Sequence, residues 1–284
     1  MNIVKTVALL GILSGLLVAV SYWLIGGPTG ATVGLVLAAV MNLGSWFFSD
    51  KIALAAYNAQ PVTQAEAPAL YGMVEKLCGR AGLPMPGIYI IPNAAANAFA
   101  TGRDPNHAAV AVTEGIMKIL PEDELEGVIA HELSHIKNRD TFTQAVAATI
   151  AGGISWLSQI ASYGMRFGGS SRNDNRPNPI AMLLTIMLAP LAASIVQMAI
   201  SRTREFAADA GAGNLTGNPR ALAQALQRLN QNAQKMPLNA NPAFEPLLIM
   251  NGFSGKFMAN LFSTHPPTEA RIEKLLELEQ KLLT

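Results

Sequence analysis

From Thr6 to Ser49 the chain carries no Asp, Glu, Lys, Arg or His, and that run restricts its folding more than any motif does. It is long enough for two helices of the roughly 20 residues that cross a bilayer. Gly26-Gly27-Pro28-Thr29-Gly30 interrupts it near the middle with residues that favour a tight turn. Residues 1–49 are therefore expected to form a transmembrane helical hairpin. A cleaved signal peptide is the competing reading, because Lys5 precedes the apolar run. However, the run is longer than the roughly 7–15 apolar residues of such a leader, and a second run follows directly. Composition agrees with an anchor: half the residues are hydrophobic and 14% are charged, against roughly 25% charged in soluble domains.

Two further stretches, within 141–165 and 177–201, also lack charge. They are read as two more apolar, transmembrane helices joined by a flexible loop at 166–177, where Gly168-Gly169-Ser170-Ser171 is followed by Arg172-Asn173-Asp174-Asn175-Arg176-Pro177. Gln144, Gln159 and Gln197 interrupt them, and their small residues suit both membrane helix packing and a soluble core. With four spans, Lys5, Lys51, Lys137, Arg139, Arg202 and Arg204 fall on the side holding both termini, which places the bulk of the chain in the cytoplasm. Arg166, Arg172 and Arg176 oppose that orientation. Twenty basic and nineteen acidic residues nearly cancel, so no nucleic-acid partner is indicated. The single cysteine, Cys78, permits no intrachain disulfide and reads as a small buried apolar residue.

Residues 50–140 and 202–284 form the two parts of the soluble body. Leu70, Met73, Val74 and Leu77 recur at helical spacing within Ala67–Arg80. Three short apolar runs follow, Gly87–Ile91, Ala96–Ala100 and Ala108–Val112, with a turn at Gly102–Asn106. They read as a small antiparallel β-sheet, giving a mainly α, α+β fold. A helix is then expected from Pro121 through Arg139. Glu122, Asp123 and Glu124 sit where its dipole favours acids, and Lys137 and Arg139 where it favours cations.

That helix carries His131-Glu132-Leu133-Ser134-His135. Histidines four apart project from one helical face, one turn above the other, and can ligate one Zn²⁺. Glu132 is rotated away from the ligand plane and suits a general base for water activated by the metal. A catalytic zinc keeps three protein ligands and an open position. The extended three-histidine pattern is missing, since Asn138 and Thr141 stand where it needs Gly and His. The third ligand must come from elsewhere. Glu205 is the leading candidate, with Asp209 one turn on and able to accept a hydrogen bond from a ligand histidine's other nitrogen. Glu245, Glu269 and Glu273 also lie downstream, and spacing alone leaves the choice open.

His131–His135 taken with Glu205-Phe206-Ala207-Ala208-Asp209 resembles the M48 peptidase family, and within it the heat-shock branch of bacterial membrane proteases. The likeness extends through the N-terminal hairpin, Asn97-Ala98-Phe99-Ala100-Thr101-Gly102, and His265-Pro266-Pro267-Thr268 with Arg271. The resemblance implies an integral membrane zinc metalloprotease of the gluzincin type, with one Zn²⁺ per subunit. His131, His135 and Glu205 would be its ligands and Glu132 its catalytic acid/base. It also implies an endopeptidase of the bacterial inner membrane, removing misfolded or damaged membrane proteins on the cytoplasmic side. His265 or Arg271 could donate to the tetrahedral oxyanion, or the two could fix the docking of a C-terminal helix that Thr268 caps. Asn97, Ala98 and Phe99 are expected to offer an edge on which an extended peptide adds as a strand, with plain sheet core as the alternative. An intramembrane-cleaving protease would put the motif inside an apolar span. Here Glu122 to Glu126 and Lys137 to Asp140 crowd it with charge, at several kcal/mol each in lipid. A non-catalytic zinc-stabilised scaffold would need a closed site of four Cys or His ligands, and Glu132 would be idle in it.

Overall fold

The computed structural model describes residues 2–142, 144, 202–235, 249 and 266–283. The expected apolar pair beyond Gln144, its connecting loop and His265 lie outside the described residues.

Two long helices, α1 (Asn2–Ser21) and α2 (Gly27–Ala56), are joined by a π-helical turn at Tyr22–Gly26. The turn falls earlier than Gly26–Gly30: Gly26 and Gly27 take positive φ values of 98° and 56°, and Pro28 already lies in the first turn of α2. There its missing N–H leaves no bond unmade. The two helices touch at glycines. A Cβ on Gly30 would lie 2.3 Å from the Ser21 carbonyl oxygen, and one on Gly34 would lie 2.7 Å from Val18 Cα. Asn42 donates to Ser14 Oγ across the pair at 3.0 Å. Leu35, Val36, Val40 and Leu43 point outward, exposed. Among the described residues, Gly27–Gly44 is the segment long and apolar enough to cross a membrane by length and composition. α2 then continues to Ala56, past the boundary expected at residue 49.

The sheet holds β1 (Gln60–Pro61), β2 (Gly87–Ile91), β3 (Ala98–Gly102) and β4 (Ala108–Thr113), in the order β1-β2-β4-β3. Here the antiparallel expectation fails, because β2 and β4 run parallel and the sheet is mixed. The expectation assumed that successive runs pair. Instead, residues 92–97 cross the end of β4 and place β3 on the outer edge. Asn97 and Thr113 bond there through backbone and hydroxyl. Gly115 lets the crossing chain pass, since a Cβ there would lie 2.1 Å from the Ala94 oxygen. β3 then returns antiparallel to β4 through Gly102, which has φ 135°.

Four more helices follow: α3 (Pro68–Ala81), α4 (Glu114–Ile119), α5 (Glu122–Lys137) and α6 (Arg202–Thr216). α7 (Pro219–Lys235) and α8 (Thr268–Leu283) complete the described body. Pro121 caps α5 instead of opening it, and the helix ends at Lys137 rather than Arg139. Leu70, Val74 and Leu77 of α3 pack with Ile88, Val110 and Val112 of the sheet. Val128, Ile129 and Leu133 of α5 join them, with Leu222, Leu226 and Leu229 of α7. Each such side chain contributes about 1.5–3 kcal/mol on burial. α5 is the central element: it lies against α6, α7, α3 and β3, so a motif on it is held from every side.

Candidate metal centre

The Leu125–Val128–Ile129–Ile136 face fixes the rotation of α5, so His131 and His135 turn toward α6 and are nearly fully buried. Their Nε2 atoms face one another at 3.1 Å. Glu205, in the first turn of α6, brings Oε2 to 3.6 Å from His131 Nε2 and Oε1 to 3.5 Å from His135 Nε2. Ligand atoms of the three residues all lie within 4.8 Å of one another. Donors on one tetrahedral zinc are separated by roughly 3.3 Å, so the spacing fits a single ion.

Electrostatics makes the same point. His131 Nδ1 lies 2.9 Å from Asp209 Oδ1, which draws the ring proton to Nδ1 and leaves the Nε2 lone pair pointing at His135 and Glu205. Buried donors converging on one point repel unless a cation or a proton lies between them. Burial opposes a charge on His131, yet the carboxylates of Asp209 and Glu205 outweigh it and push its pKa up to about 9. Asp209 is opposed by burial as well, but Arg271 holds it down to about 2. The residues thus fit a divalent metal: two imidazoles, a carboxylate and an oriented ring.

Glu132 is 3% exposed. Burial raises its pKa, the charges of His131 and His135 counteract, and Glu205 raises it further; a hydrogen bond from the Ala100 backbone lowers it. A carboxyl whose affinity for protons is increased in this way suits a group that must take a proton and give it up again.

Arg271 projects from α8 into this pocket, 2% exposed. Its Nε and Nη2 donate to the two Asp209 oxygens at 2.8 and 2.7 Å, and Nη1 lies 3.9 Å from Glu205 Oε2. It therefore reaches His131 through Asp209 and lies within ion-pair range of Glu205 itself. Asn97, Ala98 and Phe99 are all buried at the outer edge strand. Asn97 Oδ1 accepts from the backbone of Ala98 and of Ile249 at 2.9 and 3.1 Å. Ile249 also donates to the Ala98 carbonyl, so the chain itself occupies that end of the edge. Glu245 lies outside the described residues, and Glu269 and Glu273 belong to α8 without entering the metal-competent group. Ile249, Asp140 and Arg204 at the site carry no local sequence signal for such a place.

The chain is similar to several known proteins along nearly its whole length. A curated protease HtpX homolog of Nostoc punctiforme is 69% identical over 284 residues, covering 100% of this chain and 98% of its own. One from Sulfurihydrogenibium is 50% identical over 99% of this chain and 97% of its own, and one from Pyrococcus furiosus is 48% identical over 98% and 96%. The crystal structure of S. mikatae Ste24p shares the fold at 22% identity and a TM-score of 0.51, over 85% of this chain and 57% of that one. The family model for peptidase family M48 matches residues 64–279, spanning both ligand helices and Arg271. With a family model matched over most of its length and relatives up to 69% identical from end to end, the chain belongs to peptidase family M48.

Proposed function

We propose that this metallopeptidase is a zinc endopeptidase anchored in a bacterial inner membrane by its N-terminal hairpin, and that it cuts misfolded or damaged membrane proteins on the cytoplasmic side. The observation that carries the chemistry is the convergence of His131 Nε2, His135 Nε2 and Glu205 beside a buried Glu132. The first three would hold the ion, which when bound supplies Lewis acidity to the scissile carbonyl and to the attacking water. Glu132 takes the proton from that water and delivers it to the leaving amine. Asp209 keeps the His131 ring turned so that its Nε2 lone pair stays available. Arg271 holds Asp209 ionised with two donors engaged on it, and of the two oxyanion donors read from the sequence, His265 and Arg271, the role falls to His265. A substrate strand is assigned to the β3 edge near Ala100, whose backbone already bonds to Glu132. The outward apolar side chains of α2 support the membrane part of the reading, and the quality-control part rests on the resemblance to the heat-shock branch of the family.

The test uses the full chain in detergent, stripped with a chelator and then supplied with zinc and an unfolded protein. Cleavage should return with zinc. Glu132→Gln should abolish it while zinc still binds, and Glu205→Ala should lower the bound metal. Proteolysis surviving Glu132→Gln would sink the mechanism, and unchanged zinc content in Glu205→Ala would move the third ligand elsewhere.

A further inference from the structure

The end of α5 is built in an unusual way. Helical bonding closes with Asn138 N–H on the Ser134 carbonyl, and Arg139 N–H on Ile136. Arg139 then adopts φ 58°. A left-handed residue with a Cβ costs about 1–2 kcal/mol, and the arginine is exposed and bulky, so nothing in its own side chain calls for that conformation. Its effect is on the next residue. On an uninterrupted helix, residue 140 would stand about 140° around the axis from residue 135 and face away from it. The left-handed break folds the chain back, and Asp140, 1% exposed, comes to lie with Oδ2 3.3 Å from His135 Nδ1.

The other Asp140 oxygen, Oδ1, lies 3.8 Å from Arg204 Nη1, and Arg204 immediately precedes Glu205. The result parallels the other side of the site. His131 is backed by Asp209 and then Arg271, while His135 is backed by Asp140 and then Arg204. Each ring nitrogen that turns away from the metal point meets a buried carboxylate, and each carboxylate meets an arginine.

We propose that Asp140 is the positioning residue of the second metal ligand, accepting a hydrogen bond from His135 Nδ1–H so that Nε2 presents its lone pair to the ion. Arg204 fixes Asp140 and couples the orientation of His135 to the helix turn that carries Glu205. This rests on the metal-site reading above and adds to it a structural reason for the strain at Arg139.

The test uses the full chain in detergent in a Glu132→Gln background, so that self-cleavage does not intrude. Zinc affinity is read by competition with a chromophoric chelator, and ligand geometry by the visible absorption of the cobalt-loaded protein. Asp140→Asn should weaken zinc about 10–100-fold and alter the cobalt bands, comparably to Asp209→Asn. Asp140→Glu should recover part of the loss. Arg204→Gln, which leaves the carboxylate in place, should weaken zinc by a smaller factor, about 3–10-fold, and serves if Asp140→Asn does not fold. Arg139→Gly should keep the parent affinity while Arg139→Val lowers it. Asp140→Asn or Arg204→Gln binding zinc within about twofold of the parent, with unchanged cobalt bands, would overturn the proposal. A parent protein that fails to bind one zinc would instead overturn the metal-site reading itself.

Discussion

Gly211 offers a test that separates site geometry from overall stability. It lies on α6, two residues beyond Asp209, where α6 meets α5. A Cβ at that position would sit 2.7 Å from Ser134 Oγ and 3.1 Å from Ser134 Cβ, about 0.7 Å inside the 3.4 Å at which ordinary contact begins. Ser134 cannot simply rotate away, because its hydroxyl donates to the Ala130 carbonyl at 2.8 Å in a buried setting. Losing that bond costs about 1 kcal/mol, and the Cβ–Cβ clash would persist. Alanine returns about 1 kcal/mol of helix propensity, so Gly211→Ala should change net stability by no more than about 1 kcal/mol, or roughly 2–4 °C in melting temperature for a domain of this size. The helices must still part by several tenths of an ångström between the ligands of one and the ligand of the other. Metal sites tolerate about 0.2 Å. Zinc affinity, measured by chelator competition, should therefore fall about tenfold or more, while the metal-free melting temperature barely moves. Adding Ser134→Gly, which removes both clashing atoms, should restore it. A Gly211→Ala protein with the parent's zinc affinity would refute the claim that the α5–α6 spacing sets the site.

Arg271→Met should destabilise the fold by about 3–5 kcal/mol, because it strands the Asp209 carboxylate in a buried site; an unchanged urea midpoint would show that the pair contributes no stability. Gly115→Ala should cost about 3 kcal/mol or more through the Ala94 carbonyl lying 2.1 Å from the new Cβ, and parent-like expression and unfolding would contradict the crossing of the 92–97 segment. Cys78 is buried in the core, and burial pushes its thiol up to about 11. Iodoacetamide at pH 8 should label it only after unfolding, and labelling of native protein at the rate of a free thiol would place it elsewhere.

The parts readable from sequence were those written at short range. The spacing of His131 and His135, the acids before them and the apolar positions of α3 each report on a single turn of helix, and each lies where expected. Glu205 was only one of four candidates until the family pattern selected it, because nothing local says which distant helix will cross α5. The sheet was misread for the same reason. Its strand runs were visible, but pairing β4 between β2 and β3 depends on the crossing over Gly115, which a reading of neighbours along the chain does not see. Asp140 escaped notice because helical periodicity, continued past Lys137, points it away from His135. Only the backbone reversal at Arg139 brings it in.

α2 runs without a break for 30 residues, about 45 Å at helical rise, whereas a bilayer's hydrocarbon core is about 30 Å thick. The next residue, Tyr57, packs its ring 5.2 Å from that of Phe99, beside the Ala100 backbone that bonds Glu132. On the proposed insertion of the hairpin, the helix held in the membrane is also the mount of the β3 edge. With the hairpin inserted, that edge would ride at a set height, about 15 Å above the lipid tails, or some five residues of extended chain at about 3.3 Å each. Reach would then be one condition of cleavage, as on a ruler: a membrane-embedded polypeptide must release about that much slack to arrive at the height of Glu132.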